Sequence, residues 1–253
     1  MSNHKQKTRP TRNLPSTQGA GKASELREAL LKLADPQKAV DYQRFFKTGP
    51  GEYGEGDRFL GISVPVTRRV ARQFENLPMS ELARNLKSPW HEERLCALVI
   101  LTRQFAKTDE PQAIVDFYLA NTRYINNWDL VDVSCARILG AYYFPTGGRH
   151  LKKLASSDSL WEQRMAIVAT GWFIREGSFA LTLSISRRFL NHPHDLIHKA
   201  TGWMLREVGK KDINTLKAFL DVNASRMPRM MLRYAIEKLP EAQRRVYLGA
   251  RGK

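Results

Sequence analysis

The chain has 253 residues, 42% apolar and 26% charged, with 41 Lys and Arg against 25 Asp and Glu and a formal net charge of +16. That length supplies one or two domains with an ample core, and so large a basic excess points to a polyanionic partner, nucleic acid ahead of anionic membrane. No run approaches the ~18 apolar residues of a membrane span, no apolar signal segment leads the chain, and its two cysteines form no Cys-x-x-Cys pair, so a cytoplasmic protein without metal or cofactor is expected.

Residues 1–22 carry Lys5, Lys7, Arg9, Arg12 and Lys22 and no acid, and Pro10, Pro15 and Gly19 interrupt any helix. This stretch reads as a disordered basic tail, which leaves 23–253 as a single repeat domain. Helical period then runs through 25–34 and 36–47, where Asp35-Pro36 supplies a cap and a first-turn proline. The segment Lys47–Val64 holds five glycines and reads as irregular. Beyond it, 65–75, 80–87, 91–106, 111–120, 127–142, 160–175, 178–190, 195–208, 213–221 and 228–238 have helical spacing. Pro65, Pro111 and Pro228 mark helix starts. Cys96 and Cys135 fall inside apolar helical patterns and read as core thiols. No segment alternates as a strand would, so the fold is expected to be all-α.

These helices repeat. Trp90-His-Glu-Glu-Arg94 matches Trp161-Glu-Gln-Arg164, and Arg94, Asp129, Arg164, His198 and Arg233 fall in register at steps of 35, 35, 34 and 35 residues. A helix pair of this period cannot bury its apolar face alone, so neighbours stack into an α-solenoid with a concave face. The registered charges would be costly in a core. They are expected to face solvent, a partner or each other, as inter-repeat salt bridges or as a row aimed at a duplex backbone.

The densest chemistry lies in Asn126-Asn127-Trp128-Asp129-Leu130-Val131-Asp132. Asn126 or Asn127 suits the N-cap and Asp129 the helix dipole. Asp132 shares a helix face with Trp128 one turn earlier. Aspartate is a poor helix-interior residue, so it serves either as a reactive carboxylate or as the ion-pair partner of a basic residue of the next repeat, with Arg164 in the matching place. Trp90 and Trp161 read as repeat packing and Trp172 as core. Trp203 sits between Lys199 and Arg206, either packed under their stems or exposed as a ring between phosphate-binding arms. His192, His194 and His198 suit cap and surface roles better than a metal site. No phosphate-binding glycine loop and no Gly-x-Ser-x-Gly elbow is present.

Taken together, Phe46-Lys-Thr-Gly-Pro-Gly-Glu-Tyr-Gly-Glu-Gly-Asp57, Asn127-Trp128-Asp129-Leu130-Val131-Asp132, Trp161-Glu-Gln-Arg164-Met-Ala-Ile167 and Lys199-Ala-Thr-Gly-Trp203-Met-Leu-Arg206 resemble the AlkD-like DNA alkylation repair family of HEAT-like repeats, over roughly Leu26 to Leu248. The resemblance implies a curved superhelix of antiparallel helix pairs with a basic concave face. It implies a monofunctional DNA glycosylase that releases N3- and N7-alkylated purines from duplex DNA without flipping the base. Asp132 would be the catalytic carboxylate, Trp128 and Trp203 its aromatic walls, and Arg164 the active-site cation on a backbone phosphate. Arg206 and Lys199 would add DNA contacts. The partner would be double-stranded DNA and the working unit a monomer. Two other readings use the same scaffold: a non-catalytic binder of distorted or branched DNA, and a protein–protein scaffold with incidental charge.

Overall fold

A computed structural model gives the fold and describes residues 21–249. All but Gly21 and Lys22 of the expected basic tail therefore lie outside the described residues. Among those described, every regular element is a helix. Fifteen α-helices follow one another: α1 (Ala23–Leu31), α2 (Pro36–Phe45), α3 (Val64–Gln73), α4 (Met79–Leu86), α5 (His91–Phe105), α6 (Pro111–Ala120), α7 (Trp128–Cys135), α8 (Ala141–Tyr143), α9 (Arg149–Leu154), α10 (Leu160–Arg175), α11 (Ala180–Arg188), α12 (Asp195–Lys211), α13 (Ile213–Asn223), α14 (Arg229–Ala235) and α15 (Glu241–Gly249).

The helices form an α-solenoid. Helices α5, α7, α10, α12 and α14 stack in sequence as one layer, and α4, α9, α11 and α13 pack behind them. This explains a weakness in the sequence signal. Every residue from His91 to Thr102 of α5 and from Arg164 to Thr170 of α10 is buried. A helix covered on three sides needs apolar residues almost all round, so its amphipathic stripe fades. Cys96 and Cys135 are fully buried free thiols, as expected.

Caps follow the side-chain chemistry. Asp35 accepts from the Lys38 N–H with Pro36 in the first turn, and Asn127, not Asn126, caps α7 by accepting from the Trp128 N–H. His194 caps α12 through Nδ1, and His192 Nδ1 accepts from the His194 N–H. His198 departs from a surface role: it is buried, with Nε2 donating to the His192 carbonyl.

Several expectations need correction. The helix expected over 127–142 is interrupted by a π-helical turn at Ala136–Gly140. Its last residue lies where a Cβ would stand 2.3 Å from the Ala169 carbonyl oxygen of α10, so only glycine permits this approach of neighbouring helices. Helices α9 and α15 were not anticipated. The six-residue α9 follows Gly147 and Gly148, both at φ +70°, and is too short to show a period. Trp172 is half-buried, not core, with the Arg175 guanidinium 3.3 Å from its ring centroid. Of the registered charges, Arg94, Asp129, Arg164 and His198 are buried and only Arg233 is exposed. The first three are held in ion pairs between segments, which removes the cost of burying them singly.

Candidate active site

Asn127 fixes the first turn of α7, so Trp128 and Asp132 lie one above the other on one face of that helix. The indole is held by a column of rings. Phe46 stacks on Trp128 at 5.1 Å and 13°, Phe59 stacks on Phe46 at 4.8 Å, and the His91 imidazole stacks on Phe59 at 4.6 Å. Phe45 meets the Trp128 ring edge-on at 5.8 Å. Such pairs contribute about 0.5–1.5 kcal/mol each beyond area burial, enough to hold an aromatic wall in place.

At its buried end the column enters a charge network. His91 Nδ1 lies 3.0 Å from Asp57 Oδ2, and Nε2 lies 2.7 Å from Asp129 Oδ2. Arg94 Nη2 donates to Asp57 Oδ1 at 2.5 Å and Asn127 Nδ2 to Asp57 Oδ2 at 3.1 Å. Burial alone would lower the His91 pKa, but the charge and hydrogen bond of Asp129 and the bond to Asp57 outweigh it and raise the value to about 9. Burial likewise pushes Asp57 up, yet His91, Arg94 and Asn127 together hold it below the ordinary carboxylate value. The imidazolium thus bridges two carboxylates and ties the glycine-rich loop to the turn that presents Trp128. Glu92 adds a second tie, accepting from the N–H groups of Leu60, Gly61 and Ile62 at 2.9, 2.9 and 3.1 Å.

Asp132 meets the next repeat. Arg164 Nε donates to Asp132 Oδ1 at 3.0 Å and Nη2 to Oδ2 at 2.8 Å, while Nη1 donates to the Leu196 carbonyl at 2.6 Å. This inter-repeat pair is one of the two roles open to Asp132 on the sequence. The carboxylate is not sealed by it: its side chain keeps 18% exposure against 6% for Arg164. Each oxygen accepts one N–H from Arg164, and a carboxylate offers about four lone-pair sites in all. Burial raises the Asp132 pKa, Arg164 opposes that by charge and hydrogen bonding, Asp129 adds to the rise, and the net shift is upward.

Three cavities share Asp132 in their walls. One, of about 500 Å³, brings Trp128, Asp132, Arg164, Lys199, Trp203 and Arg206 together with Lys47, Tyr53 and Tyr234. The second, of about 620 Å³, lies behind Trp128 and is walled mainly by Tyr42, Phe45, Phe46, Phe59, Ile62, Leu95 and Val133. The third, of about 580 Å³, runs past Ala136, Gly171 and Trp203 to Lys210 and Lys211. The sequence profile of the family described as DNA alkylation repair enzyme matches residues 26–239.

The chain belongs to that family. Among solved structures, a predicted DNA alkylation repair enzyme from Enterococcus faecalis superposes with a TM-score of 0.63 at 15% identity, covering 82% of this chain and 97% of that one. At that identity the likeness is one of fold. No curated protein sequence matches. Within this DNA alkylation repair chain, every site residue named from the sequence lines one cavity. Arg206 is ion-paired with Glu237 and lies 3.6 Å from Glu207, so a phosphate there competes with an acid already in place. Trp161, read as repeat packing, meets Tyr53 edge-on at 6.2 Å and thereby touches the loop over the site.

Sequence reading missed Asp57, His91, Phe45, Phe46 and Tyr53 as site builders. The available signal was the run of aromatics, Phe45, Phe46, Tyr53 and Phe59, around a glycine-rich turn. No helix is long and apolar enough to cross a membrane among the described residues.

Proposed function

We propose that this protein is a monofunctional DNA glycosylase that hydrolyses the N-glycosidic bond of cationic N3- and N7-alkylated purines in duplex DNA. The observation that carries the reading is the Asp132 carboxylate, oriented by a bidentate guanidinium at the junction of cavities walled by Trp128 and Trp203. Alkylation at N3 or N7 makes the purine a cation, which departs as a neutral base. Little or no general acid is then needed, and a single carboxylate suffices. As the C1′–N bond stretches, positive charge builds on the deoxyribose, and an ionised Asp132 stabilises it and orients the attacking water. The indole faces attract both the lesion and the sugar cation, by about 0.5–2 kcal/mol each. Arg164 fixes the carboxylate plane and keeps two N–H groups in reserve for a backbone phosphate. The ~500 Å³ cavity is open and shared, which suits contact with the lesion nucleotide from the backbone side without base flipping.

The test is release of free 7-methylguanine from methylated duplex DNA by the purified protein. Asp132→Asn is expected to reduce the single-turnover rate by at least 100-fold while leaving duplex affinity within a few-fold. Wild-type activity in that variant, or no release by the wild type, overturns the assignment. A second reading, a non-catalytic binder of distorted or branched DNA, is favoured by one observation: both Asp132 oxygens are engaged by Arg164. It predicts tight binding to branched duplexes with no base released.

A further inference from the structure

The cavity behind Trp128 continues as a groove that changes character along its length. Val64, Arg68 and Arg72 are spaced i, i+4, i+8 on α3, and Val133 and Arg137 are i, i+4 across the groove, so each pair shares one helix face. Val64 and Val133 line the apolar cavity. One turn further, Arg68, Arg72, Arg103 and Arg137 converge on a cleft of about 130 Å³ floored by Val99, Thr102 and Val133. Arg103 is held by Glu75, with Nε at 2.9 Å and Nη2 at 2.5 Å from Oε2. Arg68, Arg72 and Arg137 are exposed, and no carboxylate among the described residues pairs with them. Like charges at i, i+4 repel, and a third guanidinium from another repeat adds to that repulsion. Fork-shaped donors around a concavity of this size suit one tetrahedral oxyanion.

We infer that Arg68, Arg72 and Arg137 clamp one phosphodiester of the DNA strand that passes Asp132, with Arg103 as a flanking donor. Arg137 is five residues beyond Asp132, at the start of the π turn that follows α7, so the clamp and the carboxylate are carried by adjoining turns of one helical segment. The clamp lies on the α3 side of Asp132, whereas Lys199, Trp203 and Arg206 lie on the α12 side, so the damaged nucleotide is gripped from both directions. The inference rests on the DNA-binding part of the proposed function and not on base release.

The experiment is anisotropy titration of the full chain with an undamaged duplex across a range of KCl. The Arg68→Ala/Arg72→Ala/Arg137→Ala variant is expected to show a plot of log K against log salt shallower by about 1, and affinity about tenfold weaker near 0.1 M. These are surface positions, so circular dichroism and Tm should match the wild type. Coincident slopes for the two proteins overturn the inference. So does the outcome in which millimolar inorganic phosphate raises the Tm of the wild type alone while the DNA slopes coincide, since the cleft then serves a free phosphoanion. Because the duplex is undamaged, failure of the glycosylase reading would leave this result standing.

Discussion

At the residue scale the site turns on one ion pair with two duties. Arg164 orients Asp132 and also carries the contact from α7 to α10 and, through the Leu196 carbonyl, to α12. Arg164→Ala leaves a half-buried carboxylate without its counter-charge, so about 3 kcal/mol of stability should be lost in a denaturant titration, together with the base-release rate. Arg164→Lys keeps a charge but not the fork, and is expected to recover stability better than rate; equal recovery of both would argue for a purely structural guanidinium. The upward shift of Asp132 sets a sign for pH dependence. In the proposed reaction the ionised carboxylate is the working form, so activity is expected to fall as pH drops through a pKa above the ordinary aspartate value, and a single-turnover pH profile should place the acid limb there. Asp132→Asn removes that limb along with the rate. His91 works in the opposite direction. Its folded pKa of about 9 stands above the ordinary imidazole value of 6.5, so its stabilisation is fully present below pH 6.5, declines as pH rises, and is gone above pH 9. Thermal melts of the wild type should weaken across that window, and His91→Gln should flatten the dependence. The pairing of Asp132 with Arg164 was legible in the repeat register, whereas the gathering of Trp128 and Trp203 around that pair followed from the family resemblance and not from spacing. Asp57 and Phe46 were not legible, because a loop whose path is set by Glu92 and His91 brings them to the site across many residues of sequence.

At the element scale, the repeat register foretold the stacking of α5, α7, α10, α12 and α14 but not how closely neighbours approach. Closeness depends on single glycines. A Cβ at Gly140 would stand 2.3 Å from the Ala169 carbonyl oxygen, and one at Gly202 would stand 2.4 Å from that of Met231. Both obstacles are backbone, which cannot swing aside as a long side chain can. The Gly140 contact also explains why a helix legible over 127–142 contains a π turn: the extra residue at Ala136–Gly140 re-aims the helix below Asp132 so that glycine faces α10. Such turns commonly lie beside functional residues. Gly140→Ala forces α7 and α10 apart at the layer that carries the Asp132–Arg164 pair. Its expected cost is about 2 kcal/mol or more, read as a Tm lowered by roughly 5 °C for a chain of this size. A rate loss in the folded variant larger than that of a remote variant of equal instability would show that layer spacing positions the carboxylate. An unchanged Tm would mean the two helices separate freely and that the π turn has another origin.

At the scale of the whole molecule, the formal charge of +16 overstates what a duplex meets, because many cations are already spent. Arg27, Arg94, Arg103, Arg164 and Arg206 are held by Glu93, Asp57, Glu75, Asp132 and Glu237. What remains around the cavities is a smaller set: Lys47 and Lys199 in the cavity of Asp132, Lys211 beyond Trp203, and Arg68, Arg72 and Arg137 in the arginine cleft. If Lys47, Lys199 and Lys211 each neutralise about one phosphate and the three arginines share one, the slope of log K against log salt is about −4, and binding weakens by roughly 10²-fold between 50 and 200 mM salt. The basic tail is expected to add a separable contribution. Lys5, Lys7, Arg9 and Arg12 are its only lysines and arginines before Gly21, and no acid accompanies them. Deleting residues 1–20 should therefore make the salt dependence shallower while leaving the single-turnover rate at saturating protein unchanged, since every group assigned to the chemistry lies between Lys47 and Tyr234. A collapse of that rate would place the tail at the sugar. An unchanged slope would assign the whole polyanion affinity to the helical domain, where Lys47, Lys199, Lys211 and the arginine cleft line the cavities.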